Sequence, residues 1–112
     1  MSTIRMTQAT ALILRALATG HRHGFEIMEV SGLPSGTVYP VLRRLERARV
    51  AESDWEPEET ARDAGRPRRR VYQLTESGQL WAERARQRLA DAARLMADLS
   101  GGGLSPSRAD GQ

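Results

Sequence analysis

The side chains best suited to chemistry in this sequence stand between Ser35 and Arg47, where hydroxyl groups precede a run of arginines. On a helical period, the apolar residues of this segment share one face: Val38, Val41, Leu42 and Leu45. The large polar residues fall on other faces: Tyr39, Arg43, Arg44 and Arg47. Such a helix could enter a DNA major groove, with hydroxyls at base edges and arginines at phosphates. The alternative is a solvated helix whose arginines only keep the protein in solution.

The first turn of this segment is slim and can form hydrogen bonds. Ser35 and Thr37 carry hydroxyl groups, and Gly36 between them adds no side chain, so this end could approach a polar surface closely. Pro40 lacks a backbone N–H, which costs little only in the first turn, where amides have no intrahelical partner. We therefore expect the helix to begin near Thr37, with an irregular first turn.

A metal site is the other chemistry to consider. His21, His23 and Glu26 could bring imidazole and carboxylate ligands together, but further ligands nearby are too few. A turn with exposed histidines is the favoured interpretation, and no metal site is predicted. The sequence shows no cluster of a nucleophile, a base and an orienting group, so no enzyme is predicted. The glycines at 101–103 lack the flanking strand and Gly-Lys-Ser/Thr motif of a phosphate loop, so no cofactor is predicted.

The composition favours a nucleic-acid partner. All 17 basic residues are arginines, which stay protonated and bind phosphate or carboxylate groups through a rigid fork. A GC-rich genome would give the same arginine usage. With no cysteine, disulfides and thiolate chemistry are excluded. We see no signal peptide and no apolar run of about 18 residues, so we expect a cytoplasmic location and no membrane partner.

Charge is unevenly distributed along the chain. Arginines are concentrated in the stretches 43–49 and 66–70. Between them stands an acidic stretch: Asp54, Glu56, Glu58, Glu59 and Asp63. Two basic clusters that flank an acidic stretch predict a binding face with an acidic side that points away from it. An ordinary mixed-charge surface is the alternative.

Helical periodicity also predicts the elements that precede residue 35. Thr7 can cap a first helix that ends at Gly20 and has a core-facing stripe: Ala9, Leu12, Ile13, Ala16 and Leu17. Leu14 falls off that stripe, so we expect an exposed second apolar edge that has a partner. A short second helix at residues 25–30 would hold Phe25 and Met28 toward the core before Gly and Pro residues end it.

Two short strands and a long helix complete the chain. The strands are predicted at residues 50–56 and 69–74, joined by a long basic-tipped loop that makes a wing. Thr75 can cap the long helix, whose apolar seam indicates packing against another helix: Trp81, Ala85, Leu89, Ala92, Met96 and Leu99. The predicted fold class is mainly α with a small β-wing (α+β). We expect a winged helix-turn-helix domain at residues 1–74, a long C-terminal helix at 75–100 and a disordered tail at 101–112.

Three segments resemble the PadR family of bacterial transcriptional regulators: residues 23–28, 32–46 and 65–78. They have the family's order and spacing, and the Ser-Gly-Thr-x-Tyr-Pro core that begins at residue 35 is specific. The resemblance implies a winged helix that dimerises through its long C-terminal helix, which crosses the first helix of the partner. It also implies a repressor that binds a palindromic operator as a homodimer.

The resemblance further implies which residues act. The DNA-binding residues would be Ser35, Gly36, Thr37, Tyr39, Pro40, Arg43 and Arg44 in the recognition helix and Arg66, Arg68, Arg69 and Arg70 in the wing. Leu14 and the seam of the long helix would form one dimer interface. Related regulators can release DNA when a small aromatic or cationic molecule enters that interface, and Trp81 is the residue that could stack on it. Plain dimer packing of Trp81 is the favoured interpretation.

Two features depart from the family pattern. Only three residues separate Met28 from Gly32, whereas many members have a longer connection. Arg49 stands where members often have glycine, and a left-handed backbone there would cost about 1 kcal/mol. A function of a different class is a protein-interaction winged helix that uses the seam of the long helix for a heterologous partner. The sequence names neither the operator nor the regulated gene.

Overall fold

A computed structural model describes residues 4–101 of the chain. Its helices are α1 (Gln8–Ala18), α2 (Gly24–Ser31), α3 (Ser35–Arg47), α4 (Glu58–Ala64) and α5 (Glu76–Leu99), and its two antiparallel strands are β1 (Ala51–Trp55) and β2 (Arg70–Leu74). This order confirms the predicted fold class and adds α4. Within residues 4–101 no helix is both long and apolar enough to cross a membrane. The disordered tail predicted for 101–112 falls, apart from Gly101, outside the described residues.

Helix α1 lies at the centre of the core. Thr7 caps it as predicted, and its side chain accepts a hydrogen bond from the Thr10 backbone N–H at 3.1 Å. The prediction that Leu14 lies on an exposed edge is wrong, because the Leu14 side chain is fully buried. The reason is that α1 packs against α2, α3 and α5 at once, which leaves little of its surface free.

Helix α2 packs through Ile27. Ile27 is fully buried, whereas Phe25 is 61% exposed, so the prediction that Phe25 enters the core is wrong. Gly24, Ile27 and Met28 follow the i, i+3, i+4 spacing of one helical face, and Phe25 falls outside that face. The helix ends at Gly32, whose φ of 74° is in the left-handed region that favours glycine.

Helix α3 begins at Ser35, so the predicted start near Thr37 is wrong. The Thr37 N–H donates to the Pro34 carbonyl at 2.9 Å, and the first turn therefore forms before Pro40 is reached. Pro40 has no N–H to offer the Gly36 carbonyl, but Gly36 is exposed and its carbonyl can be hydrated. The predicted apolar face is confirmed, and its buried residues are Val38, Val41, Leu42 and Leu45.

The end of α3 is bound to the start of α5. The Thr75 and Ser77 hydroxyls donate to the Arg49 carbonyl at 2.6 and 3.3 Å, and the Thr75 N–H donates to the Val50 carbonyl at 3.0 Å. A Cβ on Gly78 would lie 2.0 Å from that Val50 oxygen. Since any larger residue would clash there, these contacts hold the turn that follows α3 against the start of α5.

The two strands form a wing close to the predicted positions. Their register pairs Ala51 with Leu74 near the core and Trp55 with Arg70 at the far end. The connection between them is not a plain loop, because it contains α4, whose Ala61 is buried. Its many charges and its flanking Pro and Gly are typical of a loop, which is why the sequence does not predict this helix.

Helix α5 has a packed half and a free half. Thr75 caps it as predicted, and Ala85 is fully buried where α5 packs along α1. Three apolar residues farther along are exposed: Leu95 (57%), Met96 (63%) and Leu99 (71%). The predicted seam is therefore covered by the chain itself at Ala85 and is free at Met96 and Leu99.

Arg49→Gly should stabilise the fold. Arg49 is the non-glycine residue with a positive φ in residues 4–101, at 60°, and a left-handed backbone costs such a residue about 1 kcal/mol. We expect the glycine variant to gain about 1 kcal/mol in free energy of unfolding and about 4–8 °C in Tm. Denaturant and thermal unfolding measure both. Arg43→Gly, inside regular α3, is the control and should lose about 1 kcal/mol; a similar loss in Arg49→Gly would contradict backbone strain.

Candidate nucleic-acid interface

The outward side of α3 carries free positive charge. Arg43, Arg44 and Arg47 are exposed. Across residues 4–101 no carboxylate lies within ion-pair distance of these three arginines. Because burial of the opposite face fixes the rotation of α3, the three guanidinium groups stay directed outward. Their charge is available to an anionic ligand.

The start of α3 is as slim as predicted. Ser35 and Gly36 are exposed, whereas Thr37 and Pro40 are half-buried. A Cβ added to Gly36 would meet nothing within 4 Å, so no side chain in the described part of the chain covers this end. A base edge or a phosphate could approach the backbone closely here.

Tyr39 is held beside this end by α2. Its side chain is 37% exposed, and a Cβ on Gly24 would lie 2.4 Å from the Tyr39 hydroxyl oxygen. Only glycine at position 24 lets the ring approach the α2 backbone this closely. Gly24 was not among the predicted site residues, although it belongs to a segment that carries the family resemblance.

A groove extends the basic surface beyond α3. It has a volume of about 780 Å³ and lies between the start of α1 and the edge of α3 where its basic side meets its buried face. Arg5, Arg44 and Arg47 line it together with the apolar residues Ile4, Val41, Leu45 and Ala48. Arg5 was not predicted to take part, because it precedes the first helix and only the fold brings it beside α3.

Two of the four wing arginines surround a buried carboxylate. Glu56 is 5% exposed; it forms an ion pair with Arg66 and accepts a hydrogen bond from the Arg69 backbone N–H at 2.8 Å. The prediction that the acidic stretch points away from the arginines is therefore wrong at Glu56. The hydrogen bond from Arg66 lowers the pKa of Glu56, against desolvation that raises it, and the same contact raises the pKa of Arg66.

The other two wing arginines lie over an indole ring. The guanidinium carbons of Arg68 and Arg70 are 5.9 and 5.2 Å from the centroid of the Trp55 ring. The Arg70 Nε–H donates to the Ser53 hydroxyl at 3.0 Å, and the Arg68 Nε–H donates to the Glu56 carbonyl at 2.9 Å. The structure thus brings all four predicted wing arginines together but gives the two pairs different surroundings.

Comparison with known proteins identifies the family. The sequence profile described as the transcriptional regulator PadR-like family matches residues 13–84. The chain belongs to the PadR-like family. The resemblance noted in the sequence is thereby confirmed, and with it the expectation of a transcriptional regulator. A comparison with curated proteins found no match.

Solved structures of similar fold include other regulators. A PadR family transcription regulator from Clostridium difficile R20291 is 25% identical, with a TM-score of 0.66 over 85% of this chain and 100% of that chain. Lactococcus lactis ZitR, in complex with DNA, is 19% identical, with a TM-score of 0.64 over 93% of this chain and 66% of that chain. Bordetella bronchiseptica BpsR, whose DNA binding is regulated by 6-hydroxynicotinic acid, is 20% identical, with a TM-score of 0.61 over 89% and 68%. The last two comparisons show the fold alone.

His21 and His23 of this PadR-like chain are half-buried, so the prediction of exposed histidines is wrong. The Glu26 carboxylate accepts a hydrogen bond from the Arg22 backbone N–H at 3.0 Å. His21, His23 and Glu26 do not converge, and residues 4–101 contain no cluster of three or more His, Cys, Asp or Glu ligands. The hydrogen bond between Arg22 and Glu26 joins this turn to the start of α2.

Trp81, the residue considered for an effector, already has a partner in the chain. Its side chain is half-buried, and the Arg84 guanidinium carbon lies 4.8 Å from the centroid of its ring. This geometry is a cation–π contact. A stacking ligand would have to displace Arg84 or use the other face of the indole.

Glu56→Gln tests the carboxylate that holds the wing. Arg66 lowers the pKa of Glu56 from its ordinary 4.5 in the folded state, so the carboxylate stabilises the fold fully above that value. This stabilisation is lost as the pH falls from 4.5 through the lowered pKa. The variant should be less stable than the wild type near neutral pH, and the difference should shrink in acid. Urea unfolding at a series of pH values measures this.

Glu59→Gln is the matched control for this experiment. It removes the same charge from an exposed side chain of α4 and should change the free energy of unfolding little at any pH. A Glu56→Gln difference that is equally small, or that stays constant as the pH falls, would contradict the stabilising ion pair.

Proposed function

We propose that this PadR-like regulator binds a palindromic DNA operator as a homodimer and represses transcription. The observation that carries the proposal is the free basic side of α3, where exposed arginines have no carboxylate partner in the described part of the chain. Family membership supports a role in transcription. Lactococcus lactis ZitR, one of the similar structures, is a complex with DNA.

In the proposed complex α3 enters the major groove with its start foremost. Ser35 and Thr37 would contact base edges or nearby phosphates, and the small Gly36 would permit this approach. Tyr39 would donate a hydrogen bond to a phosphate. Arg43 or Arg44 would bind guanine through two hydrogen bonds or contact the backbone as a charge.

The free end of α5 supports the proposed homodimer. Leu95, Met96 and Leu99 are exposed, and exposed apolar clusters commonly mark contacts between proteins. Pairing two copies here would bury these residues and could place two α3 helices about 34–36 Å apart, in successive major grooves. We exclude Leu14 and Ala85 from the proposed interface, because the single chain already buries both completely. The half-buried residues that remain in it are Trp81, Leu89 and Ala92.

Regulation by a small molecule is described for BpsR, whose DNA binding responds to 6-hydroxynicotinic acid. The corresponding hypothesis for this chain concerns Trp81. Because Arg84 covers one face of that ring, we propose that Trp81 packs in the dimer interface and is not itself an effector site.

The alternative function is a winged-helix module that binds a different protein through α5. The exposed apolar end of α5 suits this function as well, but the free arginines of α3 would then have no ligand. Selection of DNA from a random pool by the purified protein distinguishes the two functions. A shared palindromic sequence supports operator binding, and recovery of no common sequence supports the alternative.

Arg43→Ala and Arg44→Ala test the recognition helix. If the replaced arginine reads a guanine, the variant should bind the selected operator about 10-fold more weakly and unrelated DNA almost as well as the wild type does. If the replaced arginine contacts a phosphate, the variant should bind the operator and unrelated DNA more weakly to the same degree. The slope of log K against log salt should then fall by about 0.9. Fluorescence anisotropy of labelled DNA at several salt concentrations measures both effects. Arg86→Ala, which removes an arginine paired with Glu83 on α5, is the control; wild-type binding that barely changes with salt would contradict phosphate contacts.

Met96→Glu tests the homodimer. It places a carboxylate in the free apolar end of α5, and burial of an unpaired charge is costly, so the variant should be monomeric where the wild type is dimeric. Sedimentation equilibrium measures this. Phe25→Glu changes a similarly exposed apolar residue on α2 and should leave the dimer intact. A wild-type monomer, or a Met96→Glu protein that dimerises normally, would contradict the proposed interface.

A further inference from the structure

One face of the wing runs from the core to its far end. Side chains alternate along a strand, so Ala51, Ser53 and Trp55 share a face of β1, and the register places Tyr72 and Arg70 beside them on β2. Ala51 and Tyr72 are buried, whereas Trp55 is 49% exposed and Arg70 is exposed. The face that packs on the core therefore continues into solvent at the end of the sheet.

This face of the wing is directed toward α3. The Ser53 hydroxyl donates a hydrogen bond to the Glu46 carboxylate of α3. Burial raises the pKa of the Tyr72 hydroxyl on this face, the charge of Glu46 raises it further, and the charge of Arg70 lowers it. A duplex that lies along the basic side of α3 would meet the wing on this face.

Trp55 restricts the movement of the two exposed wing arginines. The guanidinium carbons of Arg70 and Arg68 lie 5.2 and 5.9 Å from its ring centroid, and each Nε–H has a further acceptor inside the wing. An arginine that is ordered before binding loses less conformational entropy when it contacts a phosphate. Arg66 is different, because its charge is directed at the buried Glu56. The carboxylate nearest Arg68 is that of Glu58, which is exposed and 4.0 Å from the guanidinium group, so this pair is screened by solvent and can exchange for a phosphate.

We infer that Trp55 is a positioning residue for DNA binding, which holds Arg68 and Arg70 against phosphates of the duplex beside the groove that α3 enters. The inference rests on the proposed function. The DNA backbone is the partner that the observations favour, because the surface combines two ordered guanidinium groups with the side of the wing that faces α3. Arg66, in contrast, fixes the wing to Glu56 and contacts no DNA.

Four variants of the full chain test this inference against the selected operator over a range of salt. Arg70→Ala should reduce the slope of log K against log salt by about 0.9, the loss of one phosphate contact. Trp55→Ala retains both arginines, so the slope should stay the same while the affinity falls about 5-fold. Trp55→Phe keeps an aromatic face and should recover most of that affinity. Arg62→Ala removes an exposed arginine of α4 and should change neither quantity.

Fluorescence gives a second measurement that a merely structural residue would not affect. The chain has two tryptophans, so Trp81→Phe leaves Trp55 as the only tryptophan, which can be excited selectively over the tyrosines. We expect its emission to change when operator DNA is added, because phosphates approach the guanidinium groups on its ring. Trp55→Phe, in which Trp81 is the emitter, is the control and should show a smaller change.

The outcomes separate this inference from the proposed function. If Arg43→Ala weakens operator binding but Trp55→Ala binds like the wild type, the positioning role is overturned and DNA binding stands. The role is also overturned if Trp55→Phe binds the operator no better than Trp55→Ala does. An emission of Trp55 that stays unchanged when the operator is added would overturn it as well. If the wild-type protein selects no DNA at all, both the inference and the proposed function fail.

Discussion

Burial of one face of α3 decides what the opposite face can do. The buried side chains are Val38, Val41, Leu42 and Leu45. A helix with 3.6 residues per turn must then direct Arg43, Arg44 and Arg47 away from the core. Rotation of α3 would expose apolar surface and bury an unpaired charge together, and both changes are unfavourable. The direction in which these arginines leave α3 is therefore fixed by the core beneath them.

A single carboxylate organises the wing in a comparable way. Several arginines within a few residues repel one another, and Glu56 offsets this repulsion by binding Arg66 and the backbone of Arg69 inside the wing. Arg68 and Arg70 are left on the outside, beside Trp55. One buried carboxylate at the end of β1 thus decides which wing arginines are paired inside the wing and which remain exposed.

Local sequence patterns predicted the helices and strands of this fold better than they predicted which residues pack around them. The caps at Thr7 and Thr75 and the apolar face of α3 follow from short-range chemistry, and all three were predicted. The burial of Leu14 was not predicted, because it depends on which helices surround α1. The groove that Arg5 shares with α3 and the ion pair between Glu56 and Arg66 likewise bring together residues that the sequence gives no reason to pair. Long-range packing carries no periodicity of its own, so a single sequence does not reveal it.

The hydrogen bonds from Thr75 and Ser77 to the Arg49 carbonyl, with the close approach of Gly78 to Val50, have a mechanical consequence. These contacts couple the turn after α3 to the first turn of α5, so we expect the two helices to move together. In a dimer built on α5, the angle at which the two long helices cross would set the separation of the two α3 helices. A few degrees of change at that crossing would alter the fit to a fixed operator spacing, without any rearrangement inside either subunit.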